Sequence, residues 1–250
     1  MDTDWAPEYM VRMALDLLIS NRVKATIFLT GEYNCVREYS GELLEFGIHP
    51  NFAIDINDPK KIIDSIKALV PNARGTRSHN LIQSTPILSQ VAQAGLSYDC
   101  SHIFFQVPYL SAYCDWNNLV RIPYFWEDDT HWIQTVGDWQ LRHYLDAFTS
   151  PGLKIINVHP FMIAANIPSE DYYLDVKQHI RTLSNKNIDI IRYNEYGART
   201  FLIKLLEFLK SKNKEFHTLH DLYKIFPIKT FLTSGYKNKN RQIIHTKEDY

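Results

Sequence analysis

Apolar residues recur along this chain at two spacings, and the switches between them mark its elements. Met10, Met13, Leu17 and Leu18 share one face of residues 8–21, which predicts a helix. Residues 24–30 (KATIFLT) are short, β-branched and apolar and stop at Gly31, as a buried strand does. A second helix is expected over 36–46, with Gly47 as its C-terminal stop and a short strand at Ile48 and His49 after it. Asp58 and Pro59 open a helix through Val70, as N-cap and first helical residue. Residues 76–79 form a strand candidate, and Ser84 or Thr85 with Pro86 starts a helix to Gly95. Residues 97–99 and a loop-rich stretch around Pro108 lead to a strand over 119–124, a helix over about 138–148 and a strongly apolar strand over 153–158. Helices over 169–183 and 196–211 surround a strand near 188–192, and residues 215–217 form a strand before a helix over 219–226.

Strands alternating with helices predict an α/β fold, either a parallel sheet or a (β/α) barrel with outer helices. Seven or so short strands suit a barrel that is distorted or incompletely closed. One domain over residues 1–226 is expected, and residues 227–250 lose clear periodicity and read as a C-terminal tail. No internal repeat interrupts this order.

Composition narrows the function. A length of 250 residues with 45% hydrophobic content supports one large core. The aromatics mostly fill that core, although aromatics also stack on sugar rings. A formal charge of −1 provides no field to gather nucleic acid or an anionic membrane, so neither is expected as a partner. Lys237, Lys239 and Arg241 belong to the solvated tail. Cys35, Cys100 and Cys114 are odd in number and lack a paired spacing, which fits reduced thiols rather than a disulfide framework. The acidic, polar opening lacks a secretory signal pattern, and no apolar run reaches the roughly 18–20 residues that span a bilayer. A soluble, cytoplasmic protein of undetermined oligomeric state is expected.

The candidate chemistry lies in five places. Asp2 and Asp4 would face one way if both lie on a strand, a pairing suited to one metal ligand and one general base; Asp4 could equally cap the helix that follows. His49 stands in a short segment interrupted by Pro50, where an imidazole can meet a metal or simply solvent. Arg77 and His79 share a face by the same period of two, so Arg77 can hold a carboxylate ionised and His79 can supply an imidazole. In residues 121–129 (RIPYFWEDD), Tyr124, Phe125 and Trp126 could form a platform for a sugar. Glu127, Asp128 and Asp129 could orient a histidine, or cap a helix. His159 ends the most apolar strand, where α/β folds place functional groups.

Taken in order, DTDWAPE, VKATIFLTG, FGIHPNF, RSHNL, YDCS, RIPYFWEDD, INVHPF and FHTLHDLY resemble the polysaccharide deacetylases of the NodB-homology type, carbohydrate esterase family 4. The likeness is to the divergent WbmS-like branch, associated with surface-polysaccharide (O-antigen) gene clusters. The resemblance implies a distorted (β/α) barrel and a divalent metal, usually zinc, held by one aspartate and two histidines. By position it implies Asp2 as general base, Asp4 and His49 as metal ligands and Arg77 as tether of the base. It makes Trp126 and Asp128 the aromatic-acid motif and His159 the catalytic acid. Trp5, Asn51, Tyr124 and Trp126 are the expected substrate contacts.

The family's second metal histidine, four residues after the first, is replaced here by Ala53; His79 is the expected substitute, with Asn51 as the alternative. The family's leading strand has no counterpart ahead of Asp2, which leaves closure of the barrel open at that edge. The implied reaction is removal of an N-acetyl group from a sugar, on a nucleotide-linked or lipid-linked glycan intermediate. The rival readings are an inactive glycan-binding or scaffolding relative, and a metal-dependent O-deacetylase or amidase.

Overall fold

Helix and strand alternate from the start, α1 (Glu8–Ser20) leading into β1 (Ala25–Leu29). β2 (Leu44–Ile48), α2 (Pro59–Leu69), β3 (Gly75–Thr76), α3 (Thr85–Gln93), β4 (Tyr98–Asp99), β5 (Tyr113–Cys114), β6 (Val120–Arg121) and β7 (Trp126–Glu127) follow. The second half holds α4 (Asp128–Thr135), α5 (Leu145–Thr149), β8 (Ile156–Asn157), α6 (Pro160–Ala165), α7 (Glu170–His179), α8 (Ile188–Ile191), α9 (Ala198–Ser211) and α10 (Leu219–Ile225). The computed structural model describes residues 1–39, 41–180 and 187–226, and the backbone of an antiparallel pair, β9 (Lys237–Lys239) with β10 (Gln242–Ile244). The remainder of the expected tail lies outside the described residues.

Local chemistry sets several boundaries where the sequence places them. The Asp58 carboxylate accepts from the Lys61 amide at 3.0 Å, with Pro59 as first helical residue of α2. The Ser84 hydroxyl accepts from the Ile87 amide at 3.4 Å at the start of α3. Each such cap stabilises its helix by about 1 kcal/mol. α1 buries Met10, Val11, Ala14, Leu15, Leu17 and Leu18, and packs this face on α6.

β1, β2, β3, β4 and β6 pair in parallel in that order, and β5 adds antiparallel to β6. The chain beyond β6 stays extended and changes partners. The Ile122 amide donates to Asp99 and the Tyr124 amide to His102, whereas the Phe125 amide donates to Ile155 beside β8. β7 then pairs in parallel with β8. Residues 1–3 complete the ring: the Asp2 amide donates to Val158, the Thr3 amide to Phe28 and the Phe28 amide to Met1. The result is a parallel barrel closed by backbone bonds but distorted, most of its strands being two residues long. Among the described residues no helix is long and apolar enough to cross a membrane.

Four expected elements differ. The helix over 36–46 is a 3₁₀ turn at Asn34–Glu38 followed by β2, which includes Gly47. Gly47 is there for close packing and not as a helix stop: a Cβ would lie 2.7 Å from the Phe28 ring and 2.8 Å from the Gly75 carbonyl. The helix over 138–148 is a 3₁₀ turn at Leu141–His143 and the short α5. The strand near 188–192 is the helix α8, and residues 215–217 lie in no strand. α6 escapes a periodicity reading because all six of its residues are buried, leaving no polar face.

Candidate active site

The chemistry-bearing residues lie where parallel strands end. His49 follows β2, Arg77 follows β3, Glu127 closes β7 and leads to Asp128, and His159 stands two residues past β8. Side chains from different strands thereby meet at the carboxyl end of the barrel.

Asp2 is 2% exposed and both its oxygens are engaged. Arg77 Nη1 donates to Asp2 Oδ1 at 2.9 Å, and Asn157 Nδ2 donates to Oδ2 at 2.8 Å. Arg77 is itself held on every side. Its Nε donates to the Cys100 carbonyl at 3.0 Å and its Nη2 to the Cys100 sulfur at 3.1 Å. Its guanidinium lies between the rings of Phe28 and Tyr124, at 4.8 and 4.6 Å. Burial works to raise the Asp2 pKa, but Arg77 and then His49 outweigh it and hold the carboxyl below its ordinary value.

Asp4 shares His49 with Asp2, whose Oδ1 lies 4.0 Å from His49 Nδ1, but the chain does not stay extended through Asp4. Its φ is 41° and that of Trp5 is 54°, so the backbone turns at the second acid. Thr3 anchors the turn, its hydroxyl accepting from the Thr30 amide at 3.0 Å. Asp4 Oδ1 then lies 3.0 Å from His49 Nε2 and 3.2 Å from His79 Nδ1. One oxygen and two ring nitrogens fall within 4.8 Å of one another. A carboxylate and two imidazoles so placed fit a zinc-class ion that keeps an open position. His49 Nδ1 is buried with no hydrogen-bond partner. Burial would raise the Asp4 pKa, but the two histidines and the charge of His159 bring it far below the carboxylate range.

His79 arrives by an unexpected route. β3 ends at Thr76, and the His79 amide donates to the Pro50 carbonyl at 3.0 Å as a 3₁₀ turn begins. Asn51 turns back on its own loop, its side chain accepting from the Ala53 amide at 3.0 Å.

His159 completes the site. Its Nδ1 lies 2.6 Å from Asp128 Oδ1 and its amide donates to Asp128 Oδ2 at 2.8 Å, while Nε2 lies 3.4 Å from Asp4 Oδ2. Burial alone would lower the His159 pKa. The Asp128 contact reverses this and raises it well above the ordinary histidine value. Glu127, next to Asp128, is pushed up to about 7 by burial and by Asp129.

A cavity of about 520 Å³ opens beside Asp4 and His159, walled by Trp5, Trp132, Phe161 and Tyr173. Trp5 is 51% exposed and meets His79 edge-on at 4.8 Å, a position open to a ligand. Two expected substrate contacts are corrected here. Tyr124 and Trp126 are 0% exposed. Tyr124 packs on Arg77, and Trp126 stacks on Phe201 at 5.2 Å in the core, so neither ring can meet a sugar. Asn157 was not singled out from the sequence, although the period of two from His159 places it on the same side of its strand.

The sequence profile of the WbmS-like polysaccharide deacetylases matches residues 1–177. A crystal structure from Bordetella bronchiseptica, of a candidate polysaccharide deacetylase involved in O-antigen biosynthesis, is 29% identical; the match covers 82% of this chain and 87% of that one with a TM-score of 0.75. A family 4 acetyl xylan esterase from Clostridium thermocellum, solved with a cobalt ion, is 17% identical over 91% of each chain with a TM-score of 0.51, a likeness of fold alone. A curated protein, the vacuolar protein sorting/targeting protein 10 of Penicillium rubens, is 30% identical over 96 residues. That stretch is 36% of this chain and 6% of that protein's length, too little to assign an activity. The profile match over most of the chain, together with the barrel, makes this chain a member of the WbmS-like polysaccharide deacetylase family and a hydrolase of the class acting on carbon–nitrogen bonds.

Proposed function

We propose that the protein is a divalent-metal-dependent N-deacetylase acting on an acetylated sugar in surface-polysaccharide (O-antigen-type) biosynthesis, in the cytoplasm. The observation that carries the reading is the convergence of the Asp4, His49 and His79 donors beside two buried pairs, Asp2–Arg77 and Asp128–His159. Asp4, His49 and His79 would hold the ion, most suitably zinc. When bound, such an ion is a Lewis acid that makes water nucleophilic near neutral pH and stabilises charge on a carbonyl oxygen.

The chain's own residues divide the remaining work. Asp2, kept ionised by Arg77, takes a proton as water adds to the acetamide carbonyl carbon. His159, kept charged by Asp128, then donates its proton to the sugar nitrogen as the carbon–nitrogen bond breaks, because an amine anion is too poor a leaving group. Acetate and a free amino sugar result, and the proton held by Asp2 returns through solvent. Trp5 and the aromatic wall of the cavity contact the sugar.

The test is acetate release by zinc-loaded protein from N-acetylchitotetraose, UDP-N-acetylglucosamine and an O-acetylated xylooligosaccharide. Release from an N-acetyl probe that is lost in His49→Ala is expected. Release from the O-acetyl probe alone, or activity unchanged in His49→Ala, refutes the reading.

A further inference from the structure

Asn157 stands at the centre of the site with no part in the chemistry above. It is fully buried and pairs in register with Glu127 across β7 and β8. Its one side-chain nitrogen donates to Asp2 Oδ2 at 2.8 Å and to Glu127 Oε1 at 2.7 Å, which uses both amide hydrogens. Its amide oxygen is buried with no partner. An amide that leaves its acceptor half unmet while both donors reach carboxylates is placed for what those donors hold. Glu127 is anchored in turn: its Oε2 accepts from the Tyr124 and Thr130 hydroxyls, each at 3.1 Å.

We propose that Asn157 and Glu127 are positioning residues for Asp2, so that the single turn carrying Glu127 and Asp128 orients both the base and the acid. Asp128 reaches His159 directly. Glu127 reaches Asp2 through Asn157. The inference rests on the reading of Asp2 as the base and concerns how that carboxylate is aimed. With Oδ1 fixed by Arg77 and Oδ2 by Asn157, the carboxylate plane cannot turn, and one lone-pair direction is set for the proton it receives. Productive geometry tolerates errors of only about 0.5 Å. Without Asn157, no amide links the facing oxygens of Asp2 and Glu127, and Asp2 is held by its Arg77 contact alone.

The experiment uses the full chain loaded with zinc and the N-acetyl probes named above. Asn157→Leu is expected to lower kcat roughly 10- to 100-fold, the scale of lost outer-shell support, with KM and zinc content unchanged. Glu127→Leu is expected to do the same, and the double substitution to be no slower than the slower single one, because both act through one carboxylate. Losses that multiply overturn the proposal.

A second measurement needs no turnover. In protein labelled with 15N-asparagine, the Asn157 side chain is expected to show two exchange-protected protons, one of which becomes fast in Glu127→Leu. Two fast protons in the unsubstituted protein overturn the proposal whatever its activity. A wild-type protein that releases no acetate from any probe refutes the deacetylase reading, and the exchange result then decides the positioning by itself.

Discussion

Replacing Asp128 by asparagine isolates what supports His159, the proposed acid. The carboxylate makes two contacts to His159, at 2.6 Å to Nδ1 and 2.8 Å from the backbone amide, in a site with no exposed surface at Asp128. Asparagine has one acceptor where two are needed, so one contact is lost outright, and the remaining one is no longer charge-assisted. Hydrogen bonds to charged groups contribute about 1.5–3 kcal/mol. At about 1.4 kcal/mol per pKa unit, the His159 pKa should fall by roughly one to two units. Asp129 and Asp4 also raise that pKa and remain in the variant, so the fall is limited to what Asp128 itself contributes. The expected result is an alkaline limb of kcat displaced to lower pH by that amount, measured as acetate release from N-acetylchitotetraose between pH 5 and 10. At pH 7 the loss should be larger on this amide than on an activated aryl acetate, whose leaving group needs no proton. Stability follows the same sign: a raised folded pKa means the pair stabilises fully below the ordinary histidine value of about 6.5 and fades as pH climbs through the folded value. Wild type and variant should therefore differ most in urea unfolding below about pH 6.5 but above the range, raised by burial, in which Asp128 itself takes up a proton. A folded Asp128→Asn protein with an unmoved alkaline limb refutes the assignment of His159 as the acid.

Asp2→Asn should abolish turnover with zinc content near that of wild type by atomic absorption; retained turnover would remove Asp2 from the chemistry. His79→Ala should lower zinc occupancy, and unchanged occupancy would return the third ligand to another group. Trp5→Ala should raise KM roughly fivefold with kcat held, from the loss of about 1 kcal/mol of ring stacking; an unchanged KM would move the sugar away from this wall. Trp126→Ala should cost about 3–5 kcal/mol in urea unfolding, as a buried tryptophan does, and a loss under 1 kcal/mol would show that the ring is not packed as described.

Much of the architecture was legible in one dimension because its causes are local. Asp58 with Pro59 and Ser84 with Pro86 announce helix starts through capping contacts within three residues. The stretches at β1, which is buried, and around β8, which is half-buried up to Ile156, are apolar enough to be read from composition alone. β2 was not legible. Gly47 looks like a helix stop until Phe28 and Gly75 are brought against it by pairing with β1 and β3. Of the site, the residue types and their order point to Asp2, Asp4, His49, Arg77, Asp128 and His159, but the backbone that brings them together is not legible. Asp4 lies in a left-handed turn, and His79 reaches it from a 3₁₀ turn.

What the chain determines by itself is therefore whatever depends on near neighbours: its helices, its apolar strands and its supply of acids and imidazoles. Only the closed barrel decides which of these share a site, since Asp2 meets Asn157 across 155 positions and Arg77 across 75. Tertiary structure also decides which aromatic lines a cavity and which is core. Trp5 and Trp126 have the same ring, and burial alone separates them.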